Sequence, residues 1–400
     1  MEEVVIVDGL RSPIGNFGGS LKKVTNQEMG GQVVRALLER TELDASLVEE
    51  VIIGCVSQHS DAINLARVVG LSAGIPFRTP AYTVQRNCSS GLQAVVNAFQ
   101  NIQCGDADVQ IAGGIENMSR APYVSREMRW GQRLRHAEFV DSLWESLTDG
   151  FCGLVMGQTA ENLAEEFKIS REEQDGFAAE SHRKAVKALR EDRFKDEVLP
   201  ITGVRPGRGK ADGKIRAEEI FSHDEGPDSG IDEAHLGRLH PIFKEGGTVT
   251  AGNACPLNDG ACALLVMSAR KARDLGLNPL GYIRSYAFAG VEPERMGIGP
   301  AHAIPRALEK GKLEQTDVHL YEINEAFAAQ YLAVEQSLKL DRDKVNVNGG
   351  AIALGHPVGM TGARVILTLL HELKRRDLSL GVASMCVGGG MGAAMVVERK

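Results

Sequence analysis

Three short glycine-rich stretches, far apart in the sequence, each carry a side chain that can do chemistry. In chain order they are NCSSG at 87–91, GGAIALGHPVG at 349–359 and CVGGGMG at 386–392. Two thiols and one imidazole, among backbone N–H groups exposed by glycine, suit carbon–carbon chemistry on a thioester. We therefore expect Cys88, His356 and Cys386 to converge on one site.

Cys88 follows a strand-like run and precedes a helix that we predict over 89–103. A thiol at a helix N-terminus faces unpaired N–H groups and the positive end of the helix dipole. Both favour the thiolate, which is the nucleophilic form. The alternative is a buried structural cysteine at a helix start, but the small polar neighbours favour the nucleophile.

His356 lies between a glycine and a proline in Gly355-His356-Pro357. Glycine allows a sharp turn, and proline holds the residue before it extended and can begin a helix. The pattern predicts a histidine presented rigidly at a helix entrance, with the role of base toward Cys88. The alternative is an ordinary loop histidine.

Cys386 follows a predicted strand and precedes three consecutive glycines. Such a run can expose backbone N–H groups as an anion nest, and Gly388 is our candidate donor to an oxyanion. The run also resembles a dinucleotide fingerprint, which requires a helix afterwards, whereas 393–397 reads as a strand. Asn324, after a strand at 317–323, is a candidate to orient a water, although a helix cap is equally open.

The elements that must position these residues alternate between strand and helix, which predicts an α/β fold. The strand-like segment 317–323 parallels 48–54, and the helix start at 355–370 parallels the one at Cys88. The segment 379–397 likewise parallels 106–119. We infer two halves of similar topology with an active site between them.

The middle of the chain, 119–246, is charged, rich in arginine and poor in strands. Ser170 with Glu173 predicts the cap of a long helix through about Leu189, and 203–235 reads as a polar surface loop. We interpret this part as a loop domain inserted in the α/β core. The resulting division is an N-terminal half at 1–118 joined by 247–270, a loop domain at 119–246 and a C-terminal half at 271–400.

Composition excludes several classes of protein. The net charge is −8 without a long basic run, which argues against nucleic acid as a partner. No apolar run reaches membrane-spanning length, and the first residues enter a strand rather than a signal peptide, so we expect a cytoplasmic protein. Seven cysteines without a CxxC pair favour neither disulfides nor a metal site.

With these motifs in place, the chain resembles the thiolase family over nearly its whole length. NCSSG, NEAFA at 324–328, GGAIALGHPVG and CVGGGMG occur in family order and at family spacing, and further matches are GGIENMS at 113–119, MGQTAEN at 156–162 and GTVTAGNA at 247–254. The resemblance implies the thiolase fold, two α/β halves packed as a five-layer α-β-α-β-α core. The segments at 141–149, 296–300 and 330–335 look most like the degradative 3-ketoacyl-CoA thiolases.

The resemblance implies a reversible ping-pong cleavage of 3-ketoacyl-CoA, with coenzyme A as substrate and no tightly bound cofactor. Cys88 takes the shortened acyl group, His356 activates Cys88, and Cys386 protonates the departing acetyl-CoA carbanion. One implied oxyanion hole uses His356 and a water held by Asn324. The other uses the N–H groups of Cys88 and Gly388.

The resemblance also implies contacts with CoA and an assembly. The CoA-lining positions carried over are Leu147, Met156, Ala254, Cys255, Ala326 and Phe327. The sequence departs from the biosynthetic thiolases at Cys255, where serine is usual, and at Val155, where histidine is usual, which makes the acyl pocket more apolar. Asp228 stands where an arginine often stacks on the adenine. The family implies a homotetramer, a dimer of dimers.

Three alternatives compete with the degradative thiolase. A biosynthetic thiolase would condense two acetyl-CoA molecules. A decarboxylating ketoacyl synthase resembles this family but carries one cysteine with two histidines, or with histidine and asparagine, and the terminal Cys386 argues against it. A lipid carrier that binds acyl-CoA without turnover would not require Cys88, Asn324, His356 and Cys386 together.

Overall fold

The computed structural model describes residues 2–204 and 218–400. The strands are β1 (Val4–Arg11), β2 (Gly15–Asn16), β3 (Glu50–Gly54), β4 (Ala81–Val84), β5 (Val109–Asn117), β6 (Tyr123–Val124), β7 (Val140–Asp141), β8 (Ile201–Val204), β9 (Glu218–Phe221), β10 (Asn258–Ser268), β11 (Gly281–Gly290), β12 (Leu320–Ile323), β13 (Leu380–Val387) and β14 (Met391–Glu398). The α-helices are α1 (Asn26–Arg40), α2 (Leu65–Ser72), α3 (Ser90–Cys104), α4 (Ser142–Ser146), α5 (Met156–Glu166), α6 (Arg171–Arg190), α7 (Glu233–Leu236), α8 (Ala269–Asp274), α9 (Gly299–Gly311), α10 (Ala328–Leu338), α11 (Ala351–Leu354) and α12 (Thr361–Arg375).

The large sheet consists of two similar halves. Its strand order is β12-β13-β14-β11-β1-β10-β5-β3-β4, and β2 pairs with β10. In one half β3 runs parallel to β5, which pairs antiparallel with β10; in the other, β12 runs parallel to β13, which pairs antiparallel with β14. The halves meet at β1 and β11 through only two residue pairs, Val5 with Tyr282 and Ile6 with Gly281. This topology confirms the predicted internal repeat.

The helices complete a five-layer arrangement. Helices α3 and α12 contact each other and strands of both halves, so they form the central layer. Helices α1 and α2 cover the outer face of the N-terminal half, and α9 and α10 pack in the apolar cluster of the C-terminal half. Leu367 and Leu370 of α12 are fully buried, each stabilising the fold by roughly 1.5–3 kcal/mol relative to exposure.

Local signals set the starts of two helices. The Thr25 backbone donates to Glu28 at 2.8 Å, and the Ser170 backbone donates to Glu173 at 2.7 Å, so both predicted capping boxes form. Strand β1 continues to Arg11, which pairs with Cys262 of β10, and the buried Arg11 side chain forms ion pairs with Glu197 and Asp224 from later segments. Such long-range partners leave no local signal.

The middle of the chain adds two small sheets and two longer helices beside the core. Strands β6 and β7 form one hairpin and β8 and β9 another. The expectation of a loop over 203–235 is wrong where β8, β9 and α7 occur, and its part at 205–217 lies outside the described residues. Across 2–204 and 218–400, no helix is both long and apolar enough to cross a bilayer.

Candidate active site

The tight turn before α3 positions Cys88. Strand β4 ends at Val84, and Asn87 takes a left-handed conformation with φ 42°. The N–H and Oγ of Ser90 donate to the Asn87 carbonyl at 3.0 and 2.7 Å. Cys88 is therefore held one residue before the N-cap of the helix, as the sequence indicated.

Cys88 and Gly388 meet in one cavity of about 360 Å³. The amide of Asn87, the residue before Cys88, donates to the Gly388 carbonyl at 2.8 Å although the two lie 301 positions apart. The backbone N–H groups of Gly388 and of Cys88 itself face the Cys88 sulfur. The fold thus brings together two motifs from opposite ends of the chain.

Burial governs the ionisation of Cys88. Burial raises the pKa of the thiol above its ordinary value, while the N–H groups of Gly388 and Cys88 lower it and the Glu116 charge raises it. The helix-end donors do face the sulfur, but desolvation outweighs them. Cys88 rests as a thiol that must lose its proton during the reaction.

His356 occupies the link between α11 and α12. Its N–H donates to Asn258 Oδ1 at 2.9 Å, and its Nδ1 lies 2.7 Å from Thr361 Oγ1. Helix α12 begins at Thr361 rather than at Pro357, so the histidine precedes the helix by a full turn. This turn allows Thr361 to hold the imidazole ring from one side.

The hydrogen bonds of Thr361 determine the tautomer of His356. Thr361 Oγ1 donates to the Pro357 carbonyl at 2.9 Å, so toward the imidazole it acts as an acceptor. The proton therefore belongs on Nδ1, and Nε2 keeps its lone pair. Burial and then the positive charge of Arg364 lower the pKa of His356 to about 3, so the imidazole rests neutral.

Asn324 lies against His356. Its Nδ2 is 3.4 Å from His356 Nε2, and its Oδ1 is buried without a hydrogen-bond partner among the described residues. The helix-cap alternative is wrong, because α10 begins at Ala328 with Phe327 at its N-cap. A buried polar atom without a partner marks a position where a water or substrate group can bind.

Cys386 is fully buried near the end of β13, paired with Gly392 of β14. Burial raises the pKa of its thiol well above the ordinary value, and the charges of Cys88 and Cys255 raise it further. Cys386 shares an apolar cluster with Met156, which lines the cavity together with Cys88. Val358, two residues after His356, lines the same cavity as Cys88.

The predicted CoA-lining residues fall into two neighbouring groups. Leu147 and Met156 line the cavity with Cys88. Ala254 lines a second groove of about 510 Å³ between the segments 226–239 and 251–257. The apolar cluster around Cys386 contains Met156, Ala254, Ala326 and Phe327. The Cys255 N–H donates to the Ala326 carbonyl at 3.0 Å, so all six positions lie around the reactive sulfurs.

The sequence reasoning missed several residues that shape the site. Asn87 lies in the NCSSG motif and Thr361 lies just after GGAIALGHPVG, but only the fold shows that they form hydrogen bonds with Gly388 and His356. Buried Glu116 accepts the N–H groups of Val56, Ser57 and Gly359 at 2.9–3.0 Å and so ties the Cys88 cavity to the His356 loop. A carboxylate inside an apolar strand was its one signal in the sequence.

Comparisons with known proteins agree with this geometry. The family model of the thiolase N-terminal domain matches residues 4–270, and that of the thiolase C-terminal domain matches 277–399. The chain belongs to the thiolase family. It is therefore an acyltransferase, and its fold is the thiolase fold expected from the motifs.

Individual relatives are similar over their whole length. An acetyl-CoA acetyltransferase of Pseudomonas aeruginosa is 51% identical, with 100% of both chains covered. The crystal structure of the Bacillus anthracis acetyl-CoA acetyltransferase has a TM-score of 0.95 at 50% identity, covering 100% of this chain and 99% of that one. Human mitochondrial 3-ketoacyl-CoA thiolase has a TM-score of 0.95 at 43% identity, with the same coverage, and a second structure of it contains CoA.

Proposed function

We propose that this thiolase cleaves 3-ketoacyl-CoA with CoA, reversibly, through an acyl group carried on Cys88. The products are acetyl-CoA and a shortened acyl-CoA, as in fatty acid β-oxidation. One observation carries the proposal: Cys88 and Gly388 line the same largely apolar cavity, where the amide of Asn87 binds the Gly388 carbonyl at 2.8 Å. A nucleophile beside an oxyanion donor is the minimum requirement for acyl transfer.

In the first half-reaction Cys88 attacks the 3-keto carbonyl, and its proton passes to Nε2 of His356. The neutral imidazole with its proton on Nδ1 suits this role. The carbon–carbon bond then breaks, and the acetyl-CoA carbanion takes a proton from Cys386. A thiol whose pKa is well above the ordinary value stays protonated until that moment, as an acid must.

In the second half-reaction CoA attacks the acyl-Cys88 thioester. The CoA thiol gives its proton to the Cys386 thiolate, and the departing Cys88 thiolate recovers its proton from His356. Every group thus returns to its starting protonation state. Two acyl-CoA molecules are handled in turn, which is a ping-pong mechanism.

Two oxyanion sites support these steps. The N–H groups of Cys88 and Gly388 are proposed to stabilise the tetrahedral intermediate on Cys88. His356, together with a water held by Asn324, is proposed to stabilise the acetyl-CoA enolate. The buried Asn324 Oδ1, which has no hydrogen-bond partner in the part of the chain that the structure describes, supports the water. Losing one such donor typically costs ~3 kcal/mol of transition-state stabilisation.

CoA is proposed as the substrate rather than as a resident cofactor. The path for its pantetheine arm runs from the groove at Ala254, past Ala326 and Phe327, to Cys386. The CoA complex of the human mitochondrial relative supports this assignment. Asp228 is exposed near that groove, so an acidic side chain replaces the arginine that often stacks on the adenine.

The biosynthetic condensation of two acetyl-CoA molecules is the second candidate, and relatives named acetyl-CoA acetyltransferase favour it. The cavity favours the degradative direction. Apolar Met118, Leu143 and Val358 in its wall suit a longer acyl chain.

We also propose a homotetramer, a dimer of dimers, in a cytoplasmic compartment. Exposed large apolar side chains on one segment support an assembly; they are Tyr123, Trp130, Leu134 and Phe139. All seven cysteines are free thiols, which fits a reducing compartment. Light scattering on the purified protein tests the assembly, and a monomer would contradict it.

The absorbance of the Mg²⁺–acetoacetyl-CoA enolate tests the reaction. Adding enzyme and CoA should remove this signal, and rates across acyl lengths should show whether longer 3-ketoacyl-CoA is preferred. Unchanged absorbance with both short and long substrates would reject catalysis and favour a lipid carrier. A rate confined to acetoacetyl-CoA would favour the biosynthetic enzyme.

A further inference from the structure

The hydrogen bond between Asn87 and Gly388 joins the two halves of the chain at the site. Asn87 precedes the nucleophile, and Gly388 supplies an oxyanion donor in the proposed mechanism. Because the two residues come from different halves, nothing in the local chain fixes their separation. The 2.8 Å contact from the Asn87 amide to the Gly388 carbonyl does.

Asn87 is held firmly enough to act as a fixed point. Its backbone has φ 42°, a left-handed conformation that asparagine tolerates better than most residues. Gln85 donates to Asn87 Oδ1 at 3.0 Å, so Nδ2 is the atom that faces Gly388. Ser90, in the first turn of α3, donates two hydrogen bonds to the Asn87 carbonyl.

The peptide group after Gly388 is held from its other end as well. Asp149 is buried, and its carboxylate accepts the N–H groups of Phe151 and Cys152 at 2.8 and 3.0 Å. The Gly389 N–H also faces this carboxylate and contributes to the lowering of the pKa of Asp149. The Gly388–Gly389 peptide therefore lies between Asn87 and Asp149 in the wall of the cavity.

We propose that Asn87 is a positioning residue for acyl transfer, whose amide sets the spacing between Cys88 and Gly388 so that both N–H groups address one oxyanion. The inference rests on the proposed function and extends it to a residue outside the reacting atoms. Oxyanion donors act only at about 2.7–3.1 Å from the developing charge. A shift of Gly388 by 1 Å can cost ~100-fold in rate.

Two variants remove the amide in different ways. Asn87→Asp keeps the shape but turns a carboxylate toward the Gly388 carbonyl. Asn87→Gly removes the side chain and tolerates φ 42° without strain. Asn162→Asp is the matched control, because the Asn162 amide also donates to a distant backbone carbonyl, that of Glu294 at 2.9 Å, outside the cavity.

The assay is exchange of labelled CoA into butyryl-CoA. In this exchange the butyryl group moves from CoA to Cys88 and then to labelled CoA, so thioester bonds form and break while no carbon–carbon bond changes. We expect both Asn87 variants to lower kcat for exchange ~10- to 100-fold with KM within threefold, from the cost of a misplaced donor. At a fixed pH near 8, alkylation of Cys88 should become slower, because a donor to its thiolate has moved and a smaller fraction of the thiol is ionised. Asn162→Asp should match the wild type.

Exchange at the wild-type rate in either Asn87 variant would overturn the proposal. A loss of kcat/KM that comes entirely from a higher KM, with kcat unchanged, would overturn it as well. If Asn87→Asp does not fold, Asn87→Gly decides alone. Failure of the proposed function is a separate result. In that case the wild-type enzyme exchanges CoA normally but does not cleave any 3-ketoacyl-CoA.

Discussion

Thr361 Oγ1 lies 2.7 Å from His356 Nδ1 and gives its own proton to the Pro357 carbonyl. This pair of contacts makes the threonine an acceptor and places the imidazole proton on Nδ1. The lone pair of Nε2 then points away from α12 and toward Asn324. A residue one helical turn beyond the histidine thus decides which nitrogen can act as base.

Thr361→Val should keep the shape of the side chain and lose this acceptor. We expect kcat for thiolysis to fall ~100-fold, within the range that general base catalysis contributes, with KM little changed. Thr41→Val is the control, because the Thr41 hydroxyl also donates to a helical carbonyl, that of Leu37, far from the site. Equal kcat values for Thr361→Val and the control would show that the tautomer is set elsewhere.

Substitutions should distinguish the roles of the two catalytic thiols, Cys88 and Cys386. Cys88→Ser should give no acyl-enzyme, since the nucleophile is lost. Cys386→Ser should still acylate at Cys88 with a reactive acyl donor yet lose carbon–carbon bond formation by ~100-fold or more, because its acid and base are removed. Mass spectrometry of the acylated protein measures the first step. Loss of acylation in Cys386→Ser would contradict the division of labour.

The ionisation of Cys88 predicts a particular pH dependence of alkylation. Its pKa is raised above the ordinary 9.0, and His356, with a pKa lowered to about 3, supplies no positive charge at neutral pH. The iodoacetamide inactivation rate should therefore rise roughly tenfold per unit from pH 6 to 8 and keep rising to pH 9, as the thiolate fraction grows. The Cys88→Ser protein gives the background. A plateau below pH 8 would instead indicate a resting thiolate–imidazolium pair.

Local sequence signals predicted the parts of the fold that local chemistry decides. The Thr25 and Ser170 caps, the α/β alternation and the repeated order of elements all follow from short segments. The ends of strands do not follow in this way: the strand expected at 317–323 begins only at Leu320, where its pairing with Gly381 of β13 begins. The two-pair join of β1 and β11 likewise has no local signature.

In the candidate site, too, local sequence predicted some features and not others. Residue type and glycine context were sufficient to nominate Cys88, His356 and Cys386, because reactive groups in such settings are uncommon. The rise in the pKa of Cys88 could not be predicted, since the burial that causes it depends on the whole fold. Thr361 was missed because its role depends on contacts with two other residues.

Gly114 of β5 allows the His356 loop to approach the N-terminal half. A Cβ at this position would lie 1.9 Å from the Gly359 carbonyl oxygen, which is backbone and cannot rotate away. Gly114→Ala should therefore cost at least ~1–3 kcal/mol, lower the melting temperature and displace His356. Gly290→Ala in β11 is the matched control, because no atom of residues 2–204 or 218–400 lies within 4 Å of its added Cβ. Equal melting temperatures and activities for the two variants would contradict the close approach.

Leu143 forms part of the apolar wall beside Cys88, together with Met118 and Val358. Leu143→Phe should fill the cavity of about 360 Å³ where a long acyl chain would lie. Because each excluded methylene is worth ~1–3 kcal/mol, kcat/KM for an eight-carbon 3-ketoacyl-CoA should fall at least ~10-fold. Acetoacetyl-CoA, whose acyl group ends near Cys88, should react at close to the wild-type rate and serves as the internal control. A parallel loss with both substrates would mean that this cavity does not hold the acyl chain.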